Sequence, residues 1–236
     1  MRAQIEAARL DLAARPDDLR ALFTLAALLL RAGDPDAASL LPRLERHGEF
    51  VGGWLAIADA LLARGRIEAS LAAVGRAIRA LPTAGAGGLQ GARAHHLQAR
   101  VLRAAGRDED AAAALARAVS TGAAPAEIWF SLGLLRQDQH DDAGATAAYR
   151  AALRMRPDFH EAALNLGVAL GETGQIEAAL DAYAQAWRLR PDSFGRIAQS
   201  LVSGRAGLLF LDPAALRACL DGRERLDCRD AAVGVT

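Results

Sequence analysis

Apolar and small residues recur along the chain at spacings of three and four positions, which is the pattern of amphipathic helices. In residues 1–16, Ile5, Ala8 and Leu12 share one face of such a helix, and Pro16 follows them. A proline disfavours a helical conformation in the residue before it and so ends the helix. The pattern predicts an all-α chain that begins with one N-terminal capping helix.

A second regularity is a repeat of 34 residues. Leu132, Gly133, Ala145, Tyr149, Ala152 and Pro157 recur as Leu166, Gly167, Ala179, Tyr183, Ala186 and Pro191. A period of this length is typical of stacked helical pairs, in which small residues such as Gly133 leave room for a neighbouring helix. Since a single pair would leave an apolar face bare, the pairs must stack to be stable.

The repeated residues resemble the tetratricopeptide repeat (TPR). The resemblance is closest in residues 126–159 and 160–193. It is looser in 19–50, 51–82 and 92–125, and in the first of these units Pro42 occupies a second-helix position. It implies an all-α, right-handed superhelical solenoid of antiparallel helix pairs over residues 17–193.

Three segments depart from the repeat. We expect the glycine-rich residues 83–91 to form an insertion loop. Residues 194–221 are predicted to form C-terminal capping helices, the last with Asp212 as N-cap and Pro213 at its first position. Residues 222–236 have no pattern and are expected to form a flexible tail.

Charge and composition exclude several classes of partner. The 236 residues contain 28 basic and 28 acidic side chains, so no net field attracts nucleic acid or anionic lipid. No stretch has the length of a membrane span, and the N-terminus lacks the apolar core of a secretory signal. Cys219 and Cys228 match no zinc or redox motif. We therefore expect a cytoplasmic protein with reduced thiols, a local disulfide being the alternative.

No group of residues has the arrangement of a catalytic site. His95 and His96 would point about 100° apart on a helix and could not chelate one metal unaided. The sequence "DQHDD" (138–142) falls in a turn between helices, where polar residues are needed in any case. His160 is expected on the surface. The chain is therefore predicted not to be an enzyme and to need no cofactor or metal.

The resemblance implies that the first helices line a concave groove that binds an extended peptide or a helix of another protein. The groove-facing residues would be Arg93, His96, Arg100 and Arg103 in the third unit, Phe130, Ser131, Leu134, Gln137 and Asp138 in the fourth, and Glu161, Leu164, Asn165, Val168 and Glu172 in the fifth. Arginines, apolar residues and acids follow one another in this order. The predicted partner segment has an acidic part, an apolar anchor and a basic part; the alternative is that these are merely solvated helix faces.

The leading interpretation is a protein-interaction adaptor of the bacterial cytoplasm. Two further functions remain open beside it. The chain could be an accessory subunit that recruits substrates to a modification enzyme such as a glycosyltransferase. It could instead be a self-assembling scaffold, with the apolar run "GLLFL" (207–211) in the C-terminal cap pairing two chains.

Overall fold

The computed structural model describes residues 1–82, 87–203 and 213–222, which belong to two compact units, Met1–Ala124 and Pro125–Thr236. Every regular element in the described residues is helical, and successive helices form antiparallel pairs. The expected all-α, solenoid-type fold class is therefore confirmed.

The first unit consists of a single helix followed by three helical pairs. Its helices are α1 (Arg2–Ala14), α2 (Leu19–Ala32), α3 (Ala37–Glu45), α4 (Val51–Ala63), α5 (Ile67–Arg79), α6 (Gly88–Ala104) and α7 (Asp108–Ser120). Helix α1 packs on α2, burying the predicted face formed by Ile5, Ala8 and Leu12.

Aromatic residues are concentrated where α2 meets α4. The ring of Phe23 lies 5.1 Å from that of Phe50 and 5.5 Å from that of Trp54, edge to face in both cases. The indole Nε1–H of Trp54 donates a hydrogen bond to the carbonyl oxygen of His47 at 3.1 Å. These contacts anchor one face of α4 on α2; the one charged side chain of α4 is that of Asp59.

The start of α6 corrects the expected loop over residues 83–91. Helix α6 begins at Gly88, so residues 88–91 are helical, whereas 83–86 lie outside the described residues. Gly91 and Ala92 are buried at this end of the helix. Burial of these small residues stabilises four helical residues that glycine content alone would assign to a loop.

The second unit contains two helical pairs and two further helices. Its elements are α8 (Ala126–Asp138), α9 (Asp142–Met155), α10 (His160–Glu172), α11 (Ile176–Leu189), a 3-10 turn (Pro191–Ser193), α12 (Phe194–Ser203) and α13 (Pro213–Leu220). Pro157 and Pro191 follow the ends of α9 and α11, as the sequence predicts. The repeated Tyr149 and Tyr183 are fully buried among alanines.

The last two helices close the core of the second unit. Ile197 and Leu201 of α12 and Leu216 and Leu220 of α13 share one buried cluster with Tyr183. Trp187 Nε1 donates a hydrogen bond to Asp221 Oδ1 at 2.9 Å, which ties α11 to the end of α13. Asp212, the run 207–211 and residues 223–236, including Cys228, lie outside the described residues.

Candidate partner-binding surfaces

A cleft of about 360 Å³ lies between the first helices α4 and α6 of the first unit. We call it the first-unit groove; the residues that line it include Leu55 and Asp59 of α4 and Arg93, His96, Leu97 and Arg100 of α6. The groove thus combines a small apolar floor with a polar rim, the composition of a site that orients a bound segment.

Asp59 joins three consecutive first helices of this unit. Its Oδ2 accepts a hydrogen bond from Arg31 Nη2 of α2 at 2.6 Å, and its Oδ1 accepts one from Arg100 Nη1 of α6 at 3.0 Å. All three side chains are partly exposed to solvent, so each pair adds little to stability. The arrangement instead fixes the position of Arg100 at the groove, with one carboxylate serving two arginines.

The structure brings together three of the four residues predicted for the third repeat. Arg93, His96 and Arg100 all line the first-unit groove, whereas Arg103 is exposed on α6 beyond it. Arg93 makes no ion pair or hydrogen bond with any described residue. The groove therefore holds more positive than negative charge, and its arginines can receive a carboxylate from outside.

Sequence reasoning missed Asp59 and Arg31. A signal was present for Asp59, since it occupies the same repeat position as Arg100: Ala58 and Ala99, one residue earlier in each helix, are the matching small residues. No comparable signal marks Arg31, which lies one helical turn beyond the position that corresponds to Asp59.

The predicted residues of the second unit lie on the first helices α8 and α10. We call this surface the second-unit face and define it by Phe130, Ser131, Leu134, Gln137 and Asp138 on α8 and Glu161, Asn165, Val168 and Glu172 on α10. All of these side chains are at least partly accessible.

Leu164 does not belong to this face. It is only 2 % exposed and packs in the same core as Ile197 and Leu201 of α12. The prediction for Leu164 is therefore wrong, because α12 packs against α10 and covers a position that repeat spacing alone leaves open.

Phe130 and Leu134 provide the apolar part of the second-unit face. The Phe130 ring lies 5.8 Å from the Tyr149 ring and 4.9 Å from the Phe159 ring, so one side of it is held by the core. Leu134 is half-buried beside the same core. These contacts hold both side chains in place, as an anchor site for an apolar side chain requires.

The hydroxyl of Tyr149 organises the polar part. It donates a hydrogen bond to Gln137 Oε1 at 2.8 Å, and the Asn165 side chain lies close to the same hydroxyl. Burial is the main reason that the pKa of Tyr149 is raised, so the group is neutral at physiological pH. One predicted face residue, Gln137, is thus held by a buried tyrosine, and a second, Asn165, lies beside it.

The acidic residues of the second-unit face differ in their surroundings. Glu161 Oε1 lies 3.4 Å from Arg190 Nη1, an exposed pair. Glu172 lies near Tyr183. The pKa of Tyr183 is raised to about 12, mainly by burial; the neighbouring Ser200 hydroxyl opposes this shift and Glu172 adds to it. Asp138 is exposed at the end of α8. The face can therefore attract a basic segment.

His160 is not on the surface, contrary to the prediction. It is 5 % exposed at the start of α10, and neither ring nitrogen has a hydrogen-bond partner. Burial is the main cause that lowers its pKa; Glu161 opposes the shift, and Arg190 and Arg196 add to it. The histidine is therefore neutral at neutral pH and lies in the core rather than in a site.

Within the described residues no three His, Cys, Asp or Glu side chains are grouped closely enough to hold a metal ion. In the same residues no helix combines the length and apolar character needed to cross a bilayer. His95 is half-buried, with Nδ1 3.4 Å from Gln98 Oε1, and burial is the main cause that lowers its pKa.

Comparison with protein families gives one matching model, the tetratricopeptide repeat, over residues 55–128 and 130–194. These two stretches make up more than half of the chain and contain α6 and the whole second-unit face. Comparison with curated proteins gives no match.

Several solved structures have a similar fold. YrrB, described as a TPR protein with an unusual peptide-binding site, is 17 % identical with a TM-score of 0.60, over 77 % of this chain and 92 % of its own. BtubC from P. vanneervenii is 20 % identical with a TM-score of 0.62, over 82 % and 89 %. TTC0263 from Thermus thermophilus is 23 % identical with a TM-score of 0.54, over 70 % and 88 %. At these identities the similarity concerns the fold alone.

Proposed function

Because the chain belongs to the tetratricopeptide repeat family, whose fold serves as a scaffold for protein interactions, we propose that it is a non-enzymatic adaptor. In this proposal the faces of its first helices bind a segment of a partner protein. The observation that carries the proposal is the first-unit groove, where Asp59 holds Arg100 in place and Arg93 has no partner among the described residues.

The first-unit groove suits an acidic segment. Arginine binds carboxylates through paired N–H donors, and Arg93 and Arg100 line the same cleft. The apolar floor formed by Leu55 and Leu97 excludes water beneath these charges, which strengthens their interaction with a bound carboxylate. An acidic residue flanked by an apolar one therefore fits this groove.

The second-unit face suits an apolar anchor and a basic residue. Phe130 and Leu134 are held by the core and remain partly accessible, while Asp138 and Glu172 supply negative charge on the same face. In this proposal Asn165, whose side chain lies beside the hydroxyl of Tyr149, hydrogen-bonds the backbone of an extended segment. The proposed partner thus carries acidic, apolar and basic parts.

A charge-reversal experiment tests the proposal. The tagged chain, the Arg93→Glu/Arg100→Glu variant and a control variant, Arg150→Glu, are used to capture proteins from the native host, and the bound proteins are quantified by mass spectrometry. Arg150 is exposed on the second helix α9, so its reversal changes charge away from both surfaces. We expect a partner that the control retains and the groove variant loses. The same set of bound proteins for all three chains would contradict the proposal.

A further inference from the structure

A second cleft in the first unit lies between α3 and α5. Its lining residues differ from those of the first-unit groove. Its volume is about 610 Å³, within the range of ligand-binding clefts. We call it the α3–α5 cleft; it is bordered by Ala38 and Leu41 of α3, Ile57 and Leu61 of α4, and Ala69 and Ala72 of α5.

The cleft exists because α3 does not cover α4. Helix α5 packs along α6, and in the second unit α9 packs along α10, whereas α3 makes little contact with α4. Helix α3 has only 9 residues and contains Pro42, which has no N–H to donate to the carbonyl of Ala38. A short, interrupted second helix thus leaves one side of α4 open.

The lining of the cleft suits a helix. Ala38 on one wall and Ala69 and Ala72 on the other have small side chains, and small residues let helix axes approach closely. Ile57, which is 2 % exposed, forms part of an apolar floor. Leu41 at the edge is 43 % exposed, a large apolar side chain in contact with water. A bound helix would cover it.

The two ends of the cleft differ in charge. At one end Arg76 Nη2 lies 3.3 Å from Glu45 Oε1, and the Arg76 guanidinium lies 4.7 Å from the centre of the Trp54 ring, so these charges are satisfied. At the other end Arg64 and Arg66 form no ion pair with any described residue. Asp34 also lines this end, so two arginines and one carboxylate leave it with a net positive charge.

We propose that the α3–α5 cleft binds an amphipathic helix of a partner protein. The apolar stripe of this helix enters the cleft between the alanine walls, and acidic residues at one of its ends meet Arg64 and Arg66. Recognition of this kind places residues at helical spacings of three and four in an apolar groove, while charge sets the direction of the helix. The site is independent of the first-unit groove, because the two share no lining residue named above.

A designed peptide tests the proposal directly. The probe is a fluorescein-labelled amphipathic helix with a stripe of leucine and alanine and two glutamates at one end, and its match carries two lysines there instead. Fluorescence anisotropy with the full chain measures binding, and hydrogen–deuterium exchange locates it. We expect the glutamate peptide to bind at least about tenfold more tightly than the lysine peptide and to protect α3 and α5 from exchange. Equal binding of the two peptides, or protection elsewhere, would overturn the proposal.

Variants separate this cleft from other sites. Ala72→Phe fills the cleft at an exposed position, and Ala116→Phe, at an exposed position of α7, is its control. We expect Ala72→Phe to abolish binding of the glutamate peptide and Ala116→Phe to leave it unchanged. Arg64→Glu/Arg66→Glu should reverse the preference between the two peptides.

Two further outcomes distinguish other occupants. If Arg93→Glu/Arg100→Glu removes the peptide as well, the peptide binds in the first-unit groove and the α3–α5 cleft is not the site. If light scattering detects a dimer of the chain that Ala72→Phe converts to a monomer, the occupant is a second copy of the chain. Either result would contradict the proposal, and neither bears on whether the adaptor function is correct.

Discussion

The ring of Tyr149 occupies the space in which a β-carbon of Gly133 would lie. A β-carbon placed on Gly133 would be 2.4 Å from Tyr149 Cε1, far inside van der Waals contact. The same contact recurs in the next repeat, where a β-carbon on Gly167 would be 2.5 Å from Tyr183 Cε1. The 34-residue repeat is thus the spacing of one packing unit. In each unit a glycine on the first helix leaves a space, and the ring of a tyrosine on the second helix fills it.

Adding that β-carbon should destabilise the second unit. Gly133→Ala forces the fully buried Tyr149 ring to move in a packed core, so we expect a loss of about 1–3 kcal/mol in the free energy of unfolding, measured by urea denaturation. Gly171→Ala in α10 is the matched control, since a β-carbon there meets no atom within 4 Å. That control should be neutral or slightly stabilising, because alanine is the better helix former. Equal losses in the two variants would contradict the packing account.

His140 has a backbone conformation that elsewhere in the described residues belongs to glycine. Its φ is 59°, and at the corresponding turn one repeat later Gly174 has a φ of 75°. A side chain in this left-handed region costs about 1–2 kcal/mol, so His140→Gly should stabilise the chain by about 1 kcal/mol. Thermal unfolding checks the change. Gly174→Ala should lower the free energy of unfolding by a similar amount. If His140→Gly instead lowers it, the His140 side chain makes a contact that stabilises the chain by more than the backbone conformation costs.

The buried histidine predicts a dependence of stability on pH. The pKa of His160 is lowered in the folded chain, so the folded state binds a proton less readily than the unfolded chain, whose histidine titrates near 6.5. The stability that this neutral histidine contributes is therefore present above pH of about 6.5 and declines as the pH falls through that value. Urea denaturation at about pH 7.5 and about pH 5.5 should show a smaller difference for His160→Gln than for the natural chain. His47→Gln serves as the control, and the same difference in all three chains would exclude this role of His160.

Asp59 should matter more for binding than for stability. Its ion pairs with Arg31 and Arg100 are partly exposed, so Asp59→Asn should change the free energy of unfolding by less than about 1 kcal/mol. Because Arg100 then loses the carboxylate that holds it at the groove, ordering its side chain costs more on binding, and an acidic partner should bind the variant more weakly. Asp110→Asn, whose carboxylate pairs with Arg107 outside the groove, is the control. If Asp59→Asn binds an acidic partner more tightly than the natural chain does, Asp59 only opposes the charge of the partner and does not position Arg100.

Most of the second unit could be predicted from the sequence because the same residue types recur at the same positions of its two helical pairs. The glycines, tyrosines and prolines at fixed spacing identify which helix faces meet and where each helix ends. The approach of Gly133 to Tyr149 follows from the need for a small residue opposite a large one. The helices α12 and α13 were also recognisable, from apolar spacing and from Pro213 at a helix start.

The errors arise where a contact depends on an element outside the repeat. Leu164 is buried because α12 supplies Ile197 and Leu201 beside it, and the period that would have predicted this ends at Pro191. His160 is buried although its residue type favours the surface. The α3–α5 cleft follows from the way α3 packs, and Pro42 gave only a local signal of an irregular helix. Non-local packing of this kind cannot be read from spacing alone.

The most direct test of the central claim, that the faces of the first helices bind the partner, is photo-crosslinking in living cells of the native host. A benzophenone amino acid replaces Arg93 in the first-unit groove or, as the control, Arg150 on the second helix α9. Both positions are exposed, so neither replacement should affect the fold. The account predicts a discrete crosslinked protein from position 93 and none from position 150. Crosslinks from position 150 alone would contradict it.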